Sequence, residues 1–338
     1  MKIGPLDTKE KVLVIAEIGN NHEGRYTLAE EMIGLAAEAG ADVVKFQTII
    51  PRRLVSAQQK ERIKQLNKFQ LSYNEFGKLA KVAKNQGVIF LSTPFDIDSA
   101  LFLNDIVPAF KIASGDNDFY PLIKVIAKTG KPIIMSTGLM SFDEVKTSAD
   151  FIRDIWKQNS IDQELVLLHC VSSYPTPIEN ANILTISKLE QIGDVVGYSD
   201  HTLGIDVAIA SVAAGARIIE KHFTIDNNYS DFHDHRLSAN PIDFKEMVKR
   251  IRIAEKMLGS GEKIPTDSEL KAKKNIRRSV VAKHNLPAGH IIKLGDLDWV
   301  RPGEGLRPGQ EKELIGKKLI KAIDGGSKIK QVYVEKNK

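Results

Sequence analysis

Apolar residues gather in eight short runs between positions 12 and 224, and each run ends in polar residues. The runs read VLVIAEIGN (12–20), DVVKFQT (42–48), VIFLSTPFD (88–96), AFKIASGD (109–116), PIIMSTG (132–138), LVLLHCV (165–171), DVVGYSDH (194–201) and RIIEKHFT (217–224). Strands that are apolar along their length are buried on both faces, as in a parallel sheet covered by helices. Helical periodicity fills the gaps at residues 27–39, 73–86, 97–104, 119–128, 141–158, 182–191, 204–214 and 241–258. The first of these predicts an N-cap at Thr27, a capping box completed by Glu30 and a stop at Gly40. A strand–helix unit repeated eight times closes into a (β/α)8, or TIM, barrel, whose active site lies at the carboxyl ends of the strands.

The polar strand ends are therefore expected to share one pocket. They are Glu17, Lys45, Gln47, Thr93, Lys111, Ser114, Asp116, His169, Ser199, Asp200, His201, Glu220, Lys221 and His222. Lys45 and Lys111 follow apolar segments directly, the position of a pocket-facing residue, and two such lysines suit an anionic ligand through charge-assisted bonds. His201 closes the seventh strand and His222 the eighth. Neighbouring strands lie about 4.8 Å apart, so the two imidazoles can share a metal. Two neutral nitrogens with open positions suit Mn2+, Co2+, Fe2+ or Zn2+ acting as a Lewis acid. Glu17 has two readings, a buried partner for Lys45 and a group that handles a hydroxyl or water proton. His169 and His22 have core or loop roles as alternatives, and His233 and His235 are left open.

The segment after the barrel changes this picture. The last barrel helix ends at Leu258, and Gly259, Gly261 and Pro265 then predict a linker of roughly fifteen residues. Beyond Ser279, short β-like runs (SVVA, HII, LDWV, KLI) separated by Gly and Pro predict a small module of about sixty residues, marginal as an isolated fold. The expected division is 1–262 catalytic barrel, 263–276 linker and 277–338 β-rich module. The net charge of +5 is uneven: residues 263–338 carry 18 Lys and Arg against 9 Asp and Glu, and the remainder 30 against 34. These basic residues are dispersed, with only Trp299 and Tyr333 as aromatic company, so no nucleic-acid site is expected. The single cysteine, Cys170, excludes an internal disulfide and a cysteine-based zinc site. No apolar run approaches a membrane span, and a cytoplasmic location is expected. The longest loop at the catalytic face, residues 49–72, is expected to shape substrate access.

AEIGNNHEG (16–24), KFQT (45–48), STPFD (92–96), KIASGD (111–116), STG (136–138), HCVSSYPTP (169–177), YSDHT (198–202) and EKHFT (220–224) together resemble the sialic acid synthase family. IRRSVVA (276–282) and WVRPG (299–303) resemble the antifreeze-like, or SAF, domain that follows the barrel there. The resemblance covers nearly the whole chain and implies condensation of phosphoenolpyruvate with an N-acylated amino sugar. The product is a nine-carbon 2-keto acid, with release of phosphate. It implies N-acetylmannosamine or a related hexosamine as acceptor, with N,N'-diacetyllegionaminate synthesis as the alternative. Lys45, Lys111, Thr93, Ser114 and Ser199 are implied phosphoenolpyruvate contacts. Gln47, Ser172, Tyr174, Asp234 and Arg301 belong near the amino sugar, while Asp116 and Glu220 orient lysines or metal ligands. Glu17, Lys111, His201 and His222 are the implied catalytic set. The implied metal on His201 and His222 is Mn2+, with Mg2+ or Co2+ as alternatives. The resemblance also implies a domain-swapped homodimer in which each small domain serves its partner's barrel.

Two details bear on the acceptor. The family's Gly-Pro-Asp-His segment is replaced by Phe232-His233-Asp234-His235, bulkier and more basic around Asp234. Gly115, where pseudaminate-type members carry Phe, favours the sialic or legionaminic branch. The competing functions are a Schiff-base aldolase using Lys45, Lys111 or Lys221, and a non-catalytic sugar- or ice-binding protein.

Overall fold

The computed structural model describes residues 1–335, which form two compact units, Met1–Gly259 and the segment from Ser260 onward. In the first unit all eight apolar runs form strands: β1 (Leu13–Gly19), β2 (Val43–Thr48), β3 (Ile89–Pro94), β4 (Phe110–Ile112), β5 (Ile133–Ser136), β6 (Leu165–Cys170), β7 (Val195–Asp200) and β8 (Ile218–His222). Their ladder is parallel and runs β3-β2-β1-β8-β7-β6-β5-β4. Only the β3–β4 junction lacks a ladder, so the barrel is nearly closed. Every residue of β1 and β8 is buried, as strands enclosed by helices on one side and barrel interior on the other must be.

The crossover helices are α1 (Tyr26–Glu38), α2 (Tyr73–Asn85), α3 (Ile97–Leu103), α4 (Tyr120–Ala127), α5 (Phe142–Gln158), α6 (Thr185–Leu189), α7 (Asp206–Ala213) and α8 (Pro241–Leu258). Ser72 with Glu75 and Ser141 with Glu144 form reciprocal capping boxes on α2 and α5. The expected cap at Thr27 is not the one used. Successive turns, with Glu23 N–H donating to Asn20 and Arg25 N–H to His22, bring the chain into α1 early. Arg25 occupies the cap position without a side-chain bond, and Thr27 is already inside the helix.

Three other segments differ from expectation. The 49–72 loop contains helices Pro51–Leu54 and Lys60–Phe69. The second buries Leu66 and otherwise exposes mostly polar residues, so its apolar stripe is too narrow to stand out by period. Expected helix 182–191 contracts to α6, because Asn182 adopts a φ of 43° that helical backbone excludes. A hairpin of Lys2–Ile3 and Leu6–Asp7 precedes β1, in strands too short to carry a pattern.

In the second unit, residues 263–276 include α9 (Asp267–Ile276), opened by a Thr266–Glu269 capping box. Only SVVA and LDWV pair as a ladder, β9 (Ser279–Ala282) with β10 (Leu297–Val300). HII and KLI contribute single bridges, including Ile291 with Lys318. A small core of Val280, Leu286, Ile292, Leu297, Leu314, Leu319 and Ile329 holds the unit together. The Arg301–Gly303 turn is tied back by Gly303 N–H donating to Lys274 O (2.7 Å) and Ser279 Oγ to Pro302 O (2.6 Å).

Candidate active site

Strand register brings the expected residues together. Glu17 on β1 is level with His222 on β8 and Lys45 on β2, while Glu220 is level with Ser199 on β7 and Gln47 with Thr93 on β3. Alternation along β8 turns Glu220 and His222 into the barrel and Lys221 away from it. Lys221 is locked outside in a buried ion pair with Asp200 (2.8 Å) and donates to Thr202 O (2.5 Å). Lys221 and Asp200 therefore hold β7 to β8 and are not in the pocket.

Inside, two lysines and two carboxylates form an alternating array. Lys45 Nζ lies 2.5 Å from Glu17 Oε2 and 3.6 Å from Glu220 Oε2, and donates to Thr93 Oγ1 (3.3 Å). Lys111 Nζ is 3.9 Å from Glu220 Oε1 and donates to Ser136 Oγ (2.7 Å). Ser199 donates to Glu220 Oε1 (2.9 Å), and Gln47 Nε2 to Glu17 Oε1 (3.0 Å). Burial works against every one of these charges. At Lys45 the attraction of Glu17 and Glu220 outweighs burial and raises the pKa. At Lys111 burial dominates, and Glu220 only partly offsets the lowering. Burial raises Glu17, against the pull of Lys45, whereas Lys111 and Lys45 together overcome burial at Glu220 and hold its carboxyl low.

The histidine pair lies beside this array. The rings of His201 and His222 are 5.5 Å apart, centroid to centroid, and Tyr174 packs on His201 at 4.2 Å. His201 Nδ1 is 2.9 Å from Val171 O, so it carries the proton and leaves Nε2 with a lone pair. Burial opposes charge on His201, but Cys170, 3.8 Å away, and the Val171 carbonyl raise its pKa. His222 is held far below the ordinary histidine range by burial and by His201. It is therefore a neutral imidazole, and its buried Nδ1 has no partner. This donor set fits a divalent metal held by two imidazoles with its other positions left for ligands. Among the described residues no cluster of three His, Cys, Asp or Glu side chains forms a fuller cage.

Across the pocket mouth, Ser114 Oγ accepts from Gly138 N–H (3.1 Å). A Cβ on Gly138 would stand 2.4 Å from Ser172 Oγ and 2.6 Å from Ser114 Oγ, so only glycine lets the two hydroxyls approach. Ser172 Oγ and Asp116 Oδ2 are buried without partners. Burial, helped by Asp118, raises Asp116 to about 6. Asp234 is buried on the short helix His233–Leu237, and burial raises its pKa against the opposing pull of His233 and His201. Arg301 is exposed in the second unit.

Ser136 was absent from the expected residues, yet it is a direct partner of Lys111. The STG run at the end of β5 was the signal, a hydroxyl closing an apolar strand. Asn20, which donates to Gln47 (2.9 Å), was also missed. His169 holds the following loop through Ala181 O (2.9 Å), and His22 accepts from Gly24 N–H (3.0 Å). Both bonds hold local loop structure, while His22 Nε2 is buried without a partner.

A model of the NeuB family matches residues 32–263, more than half of the chain. The chain belongs to the NeuB family. A SAF domain matches residues 277–331. An uncharacterised protein of Methanocaldococcus jannaschii is 43% identical over 92% of this chain and 90% of its own. The N,N'-diacetyllegionaminic acid synthase of Campylobacter jejuni is 36% identical over 91% of this chain and 96% of its own. Among solved structures, the N-acetylneuraminic acid synthetase of Leptospira borgpetersenii matches with a TM-score of 0.74 and 33% identity, covering 80% of this chain and 94% of that one. This NeuB-family chain is an enzyme of the sialic, legionaminic and pseudaminic acid synthase group. Among its described residues, no helix is long and apolar enough to cross a membrane.

Proposed function

We propose that the enzyme condenses phosphoenolpyruvate with N-acetylmannosamine, or a related N-acylated amino-hexose, to a nine-carbon 2-keto acid and phosphate. The observation that carries this reading is the convergence of Lys45 and Lys111, with hydroxyls from Thr93, Ser136 and Ser199, beside the His201–His222 pair. The lysines and hydroxyls bind the phosphoenolpyruvate phosphate and carboxylate through charge-assisted bonds. C3 of phosphoenolpyruvate attacks C1 of the open-chain sugar, forming the carbon–carbon bond as the aldehyde oxygen gains a proton. Water adds at C2 and loses a proton, and phosphate departs by C–O cleavage. Glu17 and Glu220 stabilise positive charge developing at C2, and their fixed placement lowers the barrier without reorganisation. His201 and His222 would hold a divalent metal, Mn2+ first and Mg2+ or Co2+ as alternatives, which would supply Lewis-acid polarisation of the sugar aldehyde.

Gln47, Tyr174, Asp116, Ser172 and Asp234 line the amino-sugar end in this reading. Arg301 joins them from the small domain of a partner subunit in a homodimer, as the resemblance to the family implies. Mixing Arg301→Ala with His201→Ala under subunit exchange should restore turnover, because one composite site is then intact. No recovery in proven heterodimers counts against Arg301 acting in the partner's site.

A legionaminic-type acceptor is the second reading, supported by the Campylobacter relative. Phosphate release and product mass across a panel of N-acyl amino sugars decide between the two. No release with any sugar would overturn both. The Schiff-base alternative is disfavoured at Lys45 and Lys221 by their ion pairs, since a protonated amine is no nucleophile, and Lys111 is the candidate that remains for it. Borohydride with pyruvate should give no adduct.

A further inference from the structure

The segment Phe232–His235 is clamped on both sides of one adjacent pair, His233 and Asp234. On one side, His235 is buried with Nδ1 2.6 Å from Thr224 Oγ1 and Nε2 3.1 Å from Glu23 Oε1. Ser230 also donates to Glu23, and Arg25 to Tyr229, so the β8 loop is fastened to the β1 loop. On the other side, the Phe232 ring lies 4.7 Å from Phe69, at the end of helix Lys60–Phe69. That helix is seated on the β1 loop, where a Cβ at Gly24 (φ 73°) would stand 2.0 Å from Lys68 O. Three neighbouring loops therefore fix the backbone at His233 and Asp234.

The His233 side chain is 64% exposed, yet its Nε2 is 2.8 Å from Asp234 Oδ1, whose side chain is only 12% exposed. The Phe232 ring lies edge-on to His233 at 5.0 Å. The contact is an ion-pair approach of the imidazole to the carboxylate, without the alignment of a hydrogen bond. An exposed pair of adjacent residues would contribute little. This pair is different, because its carboxylate is buried.

We propose that His233 is a specificity-determining residue of the amino-sugar site, occupying one oxygen of Asp234 and leaving the other for a sugar hydroxyl or amide N–H. This rests on the proposed function, in which Asp234 contacts the amino sugar. With one oxygen engaged, the carboxylate cannot rotate to suit a differently placed donor. Acceptors whose substituents present the donor elsewhere are rejected, because a polar group left unpaired in the site costs binding.

The test compares wild type with His233→Ala and His233→Gln, measuring KM and kcat for phosphoenolpyruvate and for each sugar in the panel. His233→Ala should raise the KM of the preferred sugar about tenfold and narrow the differences among sugars, with kcat and the phosphoenolpyruvate KM within about twofold. His233→Gln keeps an N–H donor and should recover most of the preference. An unchanged sugar KM and ranking in His233→Ala would overturn the proposal, as would equal losses for both substrates with a lowered melting temperature. If wild type releases no phosphate with any sugar, it is the functional reading that fails. Calorimetric binding of the N-acyl amino sugars to wild type and His233→Ala then decides the His233 claim by the same affinity ratio.

Discussion

Two groups of side chains share the carboxyl end of the barrel and differ in how their polar atoms are satisfied. Lys45, Lys111, Glu17 and Glu220 answer one another: each cation lies within ion-pair reach of a carboxylate. Glu17 Oε2 and Glu220 Oε2 lack a well-aligned hydrogen bond, yet both face Lys45 at ion-pair distance, which is the stronger consideration for a buried carboxylate. His222 Nδ1, Ser172 Oγ and Asp116 Oδ2 have no such answer. Buried polar atoms are nearly always paired, so unpaired ones in a pocket mark where ligand atoms belong. The first group is charge-balanced by the protein itself, and the second is completed from outside.

The largest expected effect falls on the second group. His222→Gln should reduce turnover at least about a thousandfold, since a group acting on developing charge is removed. Its unfolding free energy should stay close to wild type, because Nδ1 has no protein partner to lose. Excess EDTA should likewise stop turnover and Mn2+ restore it. Full activity in EDTA would remove the metal from the scheme, and a large stability loss in His222→Gln would erase the contrast.

Lys45→Met should act on the fold as well. It leaves Glu17 and Glu220 facing each other without their shared cation, and breaking such a buried pair costs about 3–5 kcal/mol. Urea unfolding reads this directly, and adding Glu17→Gln should recover part of it. A variant as stable as wild type would show that the array is not what balances the pocket.

Ser136→Ala should have a smaller, one-sided effect. Lys111 loses its 2.7 Å partner, and the phosphoenolpyruvate KM should rise about tenfold, the range for a hydrogen bond to a charged group. The amino-sugar KM should not change. Equal rises for both substrates would mean that the paired group is not the phosphoenolpyruvate end.

The smallest effect concerns pH. Asp116 is raised from 3.8 to about 6 in the folded protein, so the folded state holds the proton more tightly than the unfolded one. Its contribution to stability is therefore present below about pH 4 and lost as pH rises through about 6. The full shift would correspond to about 3 kcal/mol, but Asp116 is partly exposed, and about 1 kcal/mol is expected after solvent screening. Asp116→Asn should gain that amount over wild type between pH 4 and pH 7 in urea midpoints. Parallel pH profiles would place Asp116 in an ordinary hydrated setting.

Much of this was legible along the chain because the physics is local. Continuous apolar runs such as LVLLHC are written by burial on both faces, and all eight became strands. Capping at Ser141 with Glu144 is likewise a three-residue matter. The 49–72 helices were not legible, because a short helix with one fully buried residue, Leu66, leaves no periodic stripe. Thr27 misled because the β1 loop, held by Asn20 and His22 carbonyls, fixes where α1 begins.

The sequence by itself determined the barrel, its eight polar strand ends and the histidine pair. Tertiary structure decided which polar residues enter the pocket. Lys221 and Lys45 look alike as strand-end lysines, yet one is sealed outside with Asp200 and the other lies between two carboxylates. Alternation along a strand states that neighbours point oppositely, but which set points inward is fixed only when strands pair and the sheet curves closed. Ser136 joined Lys111 through the same global closure. Contacts across strands and loops depend on register, which no single segment carries.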